Sequence, residues 1–102
     1  MNLLAIDTSS TNFSLCLVHS DVKENIDLLI LDPPRIGCDD KVIEIINKIK
    51  PKDILLISCS PENFAVDISK LVTISYEVKK IIPFDMFPQT HHVEVVGVLS
   101  LL

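Results

Sequence analysis

Two short apolar runs, "DLLILDPP" (27–34) and "DILLISC" (53–59), flank an amphipathic segment, and this pattern limits the fold more than any other feature of the chain. Both runs are continuous rather than alternating. The first is stopped by two prolines, and each reads as a strand buried on both faces, as in a parallel sheet. Between them, "DDKVIEIINKIK" (39–50) sets Val42, Ile43, Ile46 and Ile49 at helical spacing, with Asp39 as N-cap and Pro51 as the stop. A strand, a helix and a second strand of this kind make a βαβ unit. A second helix is expected over "PENFAVDISKLV" (61–72), where proline opens the first turn and Phe64, Ile68 and Leu71 align. Strands are expected at "NLLAID" (2–7), "FSLCLVH" (13–19), "YEVKKIIPFDM" (76–86) and "EVVGVLSLL" (94–102). The predicted fold is an α/β sheet, mostly parallel with a terminal antiparallel strand pair, with helices packed on the sheet. No repeat or low-complexity linker divides residues 1–102, so one domain is expected.

Composition narrows the function classes. The net charge is −5 and no basic block occurs, which argues against the chain gripping nucleic acid unaided. No apolar run reaches the roughly 18 residues of a membrane span, and the early Asp7 speaks against a signal peptide. Cys16, Cys38 and Cys59 are odd in number and form no Cys-x-x-Cys pair. Free thiols in a reducing, cytoplasmic setting are expected, without a metal site. The only two glycines are Gly37 and Gly97, so no glycine-rich nucleotide loop exists.

Ligands of open α/β sheets sit beyond the carboxyl ends of the strands. Asp32 ends the first apolar run, Cys59 ends the second at the start of a helix, and Glu94 closes the connection "FDMFPQTHHVE" (84–94). The positive end of a helix favours a thiolate at Cys59, and the two acids could serve as base and partner. Each residue also has a plainer reading: a small core cysteine, a proline-stiffened turn with Asp32 paired to Arg35, solvated histidines. Their combined placement favours a functional site.

Three motifs carry a family resemblance over residues 27–102. "DPPRIG" (32–37) is similar to an Asp-Pro-Pro-Arg-x-Gly element, and "ISCSP" (57–61) to a Ser-Cys-Asn-Pro nucleophile turn followed by an acid, here Asp67. "FDMFPQTHHVE" fits a closing signature at every position. The pattern resembles the C-terminal part of the S-adenosylmethionine-dependent RNA (uracil-C5)-methyltransferases, the group acting on 23S rRNA uracils and the tRNA T-loop uracil. The resemblance implies a partial Rossmann-like methyltransferase sheet, S-adenosylmethionine as cofactor, and RNA as substrate once an upstream domain completes the site. It implies that Cys59 is the nucleophile and Glu94 the proton-abstracting base. Asp32, with Pro33 and Arg35, would face the uracil, supported by Asp85, His92, Pro61 and Asp67.

The departures are specific. Ser60 stands where the family has Asn, Leu56 where it has Tyr, and Asn63 and Val66 where it has Thr and Arg. The family's RNA-binding barrel and glycine-rich cofactor loop have no counterpart, so the chain alone is expected to be inactive. The N-terminus has two readings. "LLAID" is either the strand whose terminal Asp7 holds the cofactor ribose, with Asp21 near the adenine, or part of a hairpin (1–18) resembling actin-like accessory proteins of tRNA threonylcarbamoylation. A non-catalytic folding or interaction unit is the alternative function. An exposed edge at the N-terminal strands or at 27–34 is expected to favour a homo-oligomer.

Overall fold

The computed structural model describes residues 3–7, 26–34, 36–84 and 94–102. The elements run β1 (Leu3–Asp7), β2 (Leu28–Asp32), α1 (Asp40–Ile49), β3 (Asp53–Ser58), α2 (Pro61–Thr73), β4 (Tyr76–Phe84) and β5 (Glu94–Leu101). They form one five-stranded sheet in the order β1-β2-β3-β5-β4. β1, β2 and β3 pair in parallel, whereas β5 runs antiparallel to both β3 and β4. The expected strand at 13–19 lies outside the described residues.

Local chemistry explains the element ends. Asp39 caps α1, its carboxylate accepting from the Lys41 N–H at 2.9 Å. Lys50 turns the chain in the left-handed conformation (φ 45°) and Pro51 follows. α2 begins with Pro61 at its first position and Ser60 as N-cap, and Ser75 leaves it in a left-handed conformation (φ 81°). Tyr76 then anchors β4, its buried hydroxyl donating to the Pro51 carbonyl at 2.5 Å.

Both described helices cover one face of the sheet. Val42 and Ile46 of α1 and Phe64 and Leu71 of α2 share a core with Leu29, Leu31, Ile54, Leu56, Val95 and Leu99. β2 and β3 therefore alternate, and do not bury both faces as their sequences suggested. Leu28, Ile30, Leu55 and Ile57 are only half-buried, because the described helices leave that side uncovered. The edge expectation is corrected at one point. β2 is an interior strand, paired from Leu28 to Asp32 with β1, and the sheet edges are β1 and β4. Prolines 33 and 34 lie past the end of β2.

Candidate active site

The parallel strands β1, β2 and β3 end at one edge of the sheet, and antiparallel β5 starts there. Side-chain alternation then decides which face each residue takes. On β3, Ile54, Leu56 and Ser58 point into the helical core, so Leu55 and Ile57 take the other face, and Cys59, just past the strand end, is exposed. On β5, Val95 and Leu99 are core residues, which puts Glu94 and Val96 on that same outer face. The register brings their neighbours together: Ser58, just before Cys59, pairs with Val95, just after Glu94. Neighbouring strands lie about 5 Å apart. Phe84 of β4 is the direct partner of Glu94 from its other side. On β2, Leu29 and Leu31 are core residues, so Asp32 also takes the outer face. The register carried one step past Leu31–Leu56 puts it beside Ile57.

Cys59 is exposed, and Glu94 is half-buried. Ser60, the departure from the family's Asn, takes over the helix cap. Its hydroxyl accepts from the Asn63 N–H at 3.4 Å and from the Asn63 amide at 3.2 Å. Leu56, in the position of the family's Tyr, is fully buried in the core. Val66 is half exposed on α2.

The loop after β2 is fastened to α2 rather than to its own strand. Gly37 donates to the Pro34 carbonyl at 2.8 Å and adopts a left-handed conformation (φ 98°). A Cβ there would meet the Asp67 carboxylate at 3.0 Å. Asp67, buried, accepts from the Cys38 N–H at 2.9 Å, and the Lys70 ammonium donates to the Cys38 carbonyl at 3.2 Å. Lys70 also pairs with Asp40 at 3.1 Å, and that bond raises its pKa. Burial, and then the Asp67 charge, push the Cys38 thiol far above its ordinary range, so it stays protonated. Cys38 is thus a core thiol. One helix holds the start of the Cys59 turn at its N-terminus and the post-β2 loop along its side.

Asp67 binds the loop as described, Pro33 is buried, and Pro61 is the exposed first residue of α2. Asp7 ends β1 as the backbone partner of Asp32. Arg35, Asp85, His92 and Asp21 lie outside the described residues. Sequence reasoning had overlooked Ser58 and Lys70. Ser58 was hidden inside the motif, and Lys70 could have been found one helical turn after Asp67. For S-adenosylmethionine the residues fit in part. An acid at the end of β1 suits a ribose, but Gly37 is committed to its turn and Gly97 lies under Phe64, so neither cradles the amino-acid end. Among the described residues no cluster of His, Cys, Asp and Glu could hold a metal ion. No described helix is long and apolar enough to cross a membrane.

Known proteins similar to this chain include RNA methyltransferases. An uncharacterized RNA methyltransferase of Bacillus anthracis is 51% identical over 75 residues, covering 74% of this chain and 16% of that protein. Another, of Listeria monocytogenes serovar 1/2a, is 43% identical over 103 residues, covering 99% of this chain and 23% of its own length. The chain thus spans less than a quarter of these relatives. Among solved structures, the Pyrococcus abyssi tRNA (uracil-54, C5)-methyltransferase in complex with S-adenosyl-L-homocysteine matches with a TM-score of 0.65 and 38% identity. That match covers 79% of this chain and 21% of that one. M1.HpyAVI shares the fold alone, at a TM-score of 0.58 and 15% identity over 98% of this chain and 55% of its own. The tRNA (uracil-5-)-methyltransferase family model matches residues 9–101, and the chain belongs to that family.

Proposed function

We propose that this chain carries the nucleophile and the base of an S-adenosylmethionine-dependent RNA uracil-C5 methyltransferase, with other polypeptide completing the RNA and cofactor sites. The observation that supports it most is the β3–β5 register, in which Ser58 and Val95, the neighbours of Cys59 and Glu94, pair at the carboxyl edge. Uracil C5 is a weak nucleophile. The Cys59 thiolate adds to C6, forming an S–C6 bond and moving an electron pair onto the C4 carbonyl as an enolate. C5 then has the carbanion character needed to take a methyl group, and the cofactor supplies that group as an electrophilic sulfonium methyl. Glu94 removes the C5 proton, the enolate re-forms, and the S–C6 bond breaks to return the thiolate. Asp32, exposed at the end of β2, would hydrogen-bond the uracil edge. A base reached in this way must leave its stack. An acid at the end of β1, Asp7, would suit the cofactor ribose.

RNA carrying 5-fluorouracil tests the reading. Fluorine at C5 cannot leave as a proton, so the protein, in a form that binds the cofactor, should accumulate a covalent RNA adduct. Absence of an adduct while cofactor is bound would leave the family membership standing and remove the catalytic role.

A further inference from the structure

Ser58 is the last residue of β3 and is buried, at 4% exposure, on the core face. Its hydroxyl does not face the apolar core alone. It accepts from the Ser60 N–H at 3.2 Å and donates to the Ser60 carbonyl at 3.1 Å. Both bonds span Cys59. The Ser60 carbonyl also accepts the first α2 bond, from Phe64 N–H at 2.8 Å, while the Ser60 hydroxyl caps the helix at Asn63. Every polar group of Ser60 is therefore engaged, and Cys59 sits between a buried strand end and a fully bonded cap. With both neighbours fixed, little backbone freedom remains at Cys59. Ser58 itself faces the core, whereas Cys59, held between the two bonds, is exposed.

We infer that the Ser58 hydroxyl is the positioning group for Cys59, holding the thiol at the mouth of α2. This rests on the reading of Cys59 as the nucleophile, but its physical content is separate: the hydroxyl sets how the thiol is presented. A buried hydroxyl needs partners. A Ser at a strand end that turns back to bond the residue two positions on competes with regular strand geometry, and so closes the strand into a tight turn. Alanine at 58 would keep the strand and lose the turn. A sulfur released from that turn is no longer held in one orientation.

The test compares two isosteric pairs, Ser58→Ala with wild type and Ser58→Val with Ser58→Thr, in the 102-residue chain. The reading is the rate of iodoacetamide alkylation of Cys59 at mildly alkaline pH, followed at its own peptide by mass spectrometry. Buried Cys38 serves as the internal control for folding. Removing the hydroxyl should slow alkylation by about two- to fivefold in each pair, the rate equivalent of losing one modest intramolecular hydrogen bond. Threonine should keep the wild-type rate within about twofold. Equal rates in both pairs, with Cys38 still protected, would overturn the inference. Should the variants fail to fold, hydrogen exchange at the Ser60 amide of the wild type decides: protection supports the clamp, and exchange at the rate of an open turn overturns it. A hydroxyl effect on alkylation without any adduct to fluorinated RNA would keep the clamp and remove the catalytic reading.

Discussion

At the residue scale, the chain assigns its buried polar groups unequally. Ser58 and Asp67 are buried and used to fix loops at the carboxyl edge, whereas Cys59 is left exposed. The Asp67 Oδ2 has no hydrogen-bond partner among the described residues, a cost of about 1–3 kcal/mol for a buried acceptor. The chain retains it beside Gly37, where any larger residue would be forced into a left-handed backbone and against the carboxylate. Tyr76 offers a test at this scale. Burial, and then the charge of Asp53, push its phenol up to about 12 from 10.0. A raised pKa favours the protonated folded form, so this stabilisation is complete below pH 10 and is lost as pH climbs towards 12. Tyr76→Phe should cost about 1–2 kcal/mol at neutral pH, by stranding the Pro51 carbonyl. Chemical denaturation from pH 7 to 12 should show the gap to wild type shrinking above pH 10. A gap independent of pH would refute the assignment.

At the element scale, short-range chemistry was legible and long-range pairing was not. Asp39, Pro51 and Pro61 bound their helices by local bonds and backbone limits, and the sequence placed both helices within a residue or two. The insertion of β5 between β3 and β4 depends on residues more than thirty positions apart, such as Ser58 and Val95, and no local pattern encodes it. For the same reason the sequence leaves the edge open between the N-terminal strands and 27–34: alternation within residues 3–7 does not announce Leu28–Asp32 as their partner. The family motifs did place Cys59, Asp32 and Glu94 near strand ends, whereas the pairing of Ser58 with Val95 beside them emerged only from the register. Lys50 carries the element-scale prediction. It holds the left-handed position after α1, where glycine is unstrained. Lys50→Gly should stabilise the fold by about 1 kcal/mol, read as a raised denaturation midpoint. A loss of stability would mean that the lysine stem contributes more than the turn.

At the scale of the whole molecule, the two sheet edges differ. β4 carries Lys79, Lys80, Pro83 and a register shift between Val78 and Lys80, features that discourage strand addition. β1 is short, with Leu3 exposed. Among the described strands, β1 is thus the edge at which pairing with a second copy is expected. The two glycines bear on the cofactor, because Gly37 is held in its turn and Gly97 lies under Phe64, so neither offers the amino-acid end of S-adenosylmethionine a free backbone. The isolated chain should bind that cofactor weakly. Calorimetry giving micromolar affinity for a monomer would overturn this account of how the site is divided.

The central claim is that Cys59 and Glu94 act on one uracil. Its most direct test is the site of attachment in the RNA adduct. With 5-fluorouracil RNA and bound cofactor, the crosslinked peptide should contain Cys59, and Cys59→Ala should abolish the species while Cys16→Ala and Cys38→Ala leave it intact. With ordinary uracil, Glu94→Gln should trap the same adduct, because addition survives and proton removal fails. An adduct mapped to another residue, or undiminished turnover in Glu94→Gln, would contradict the claim.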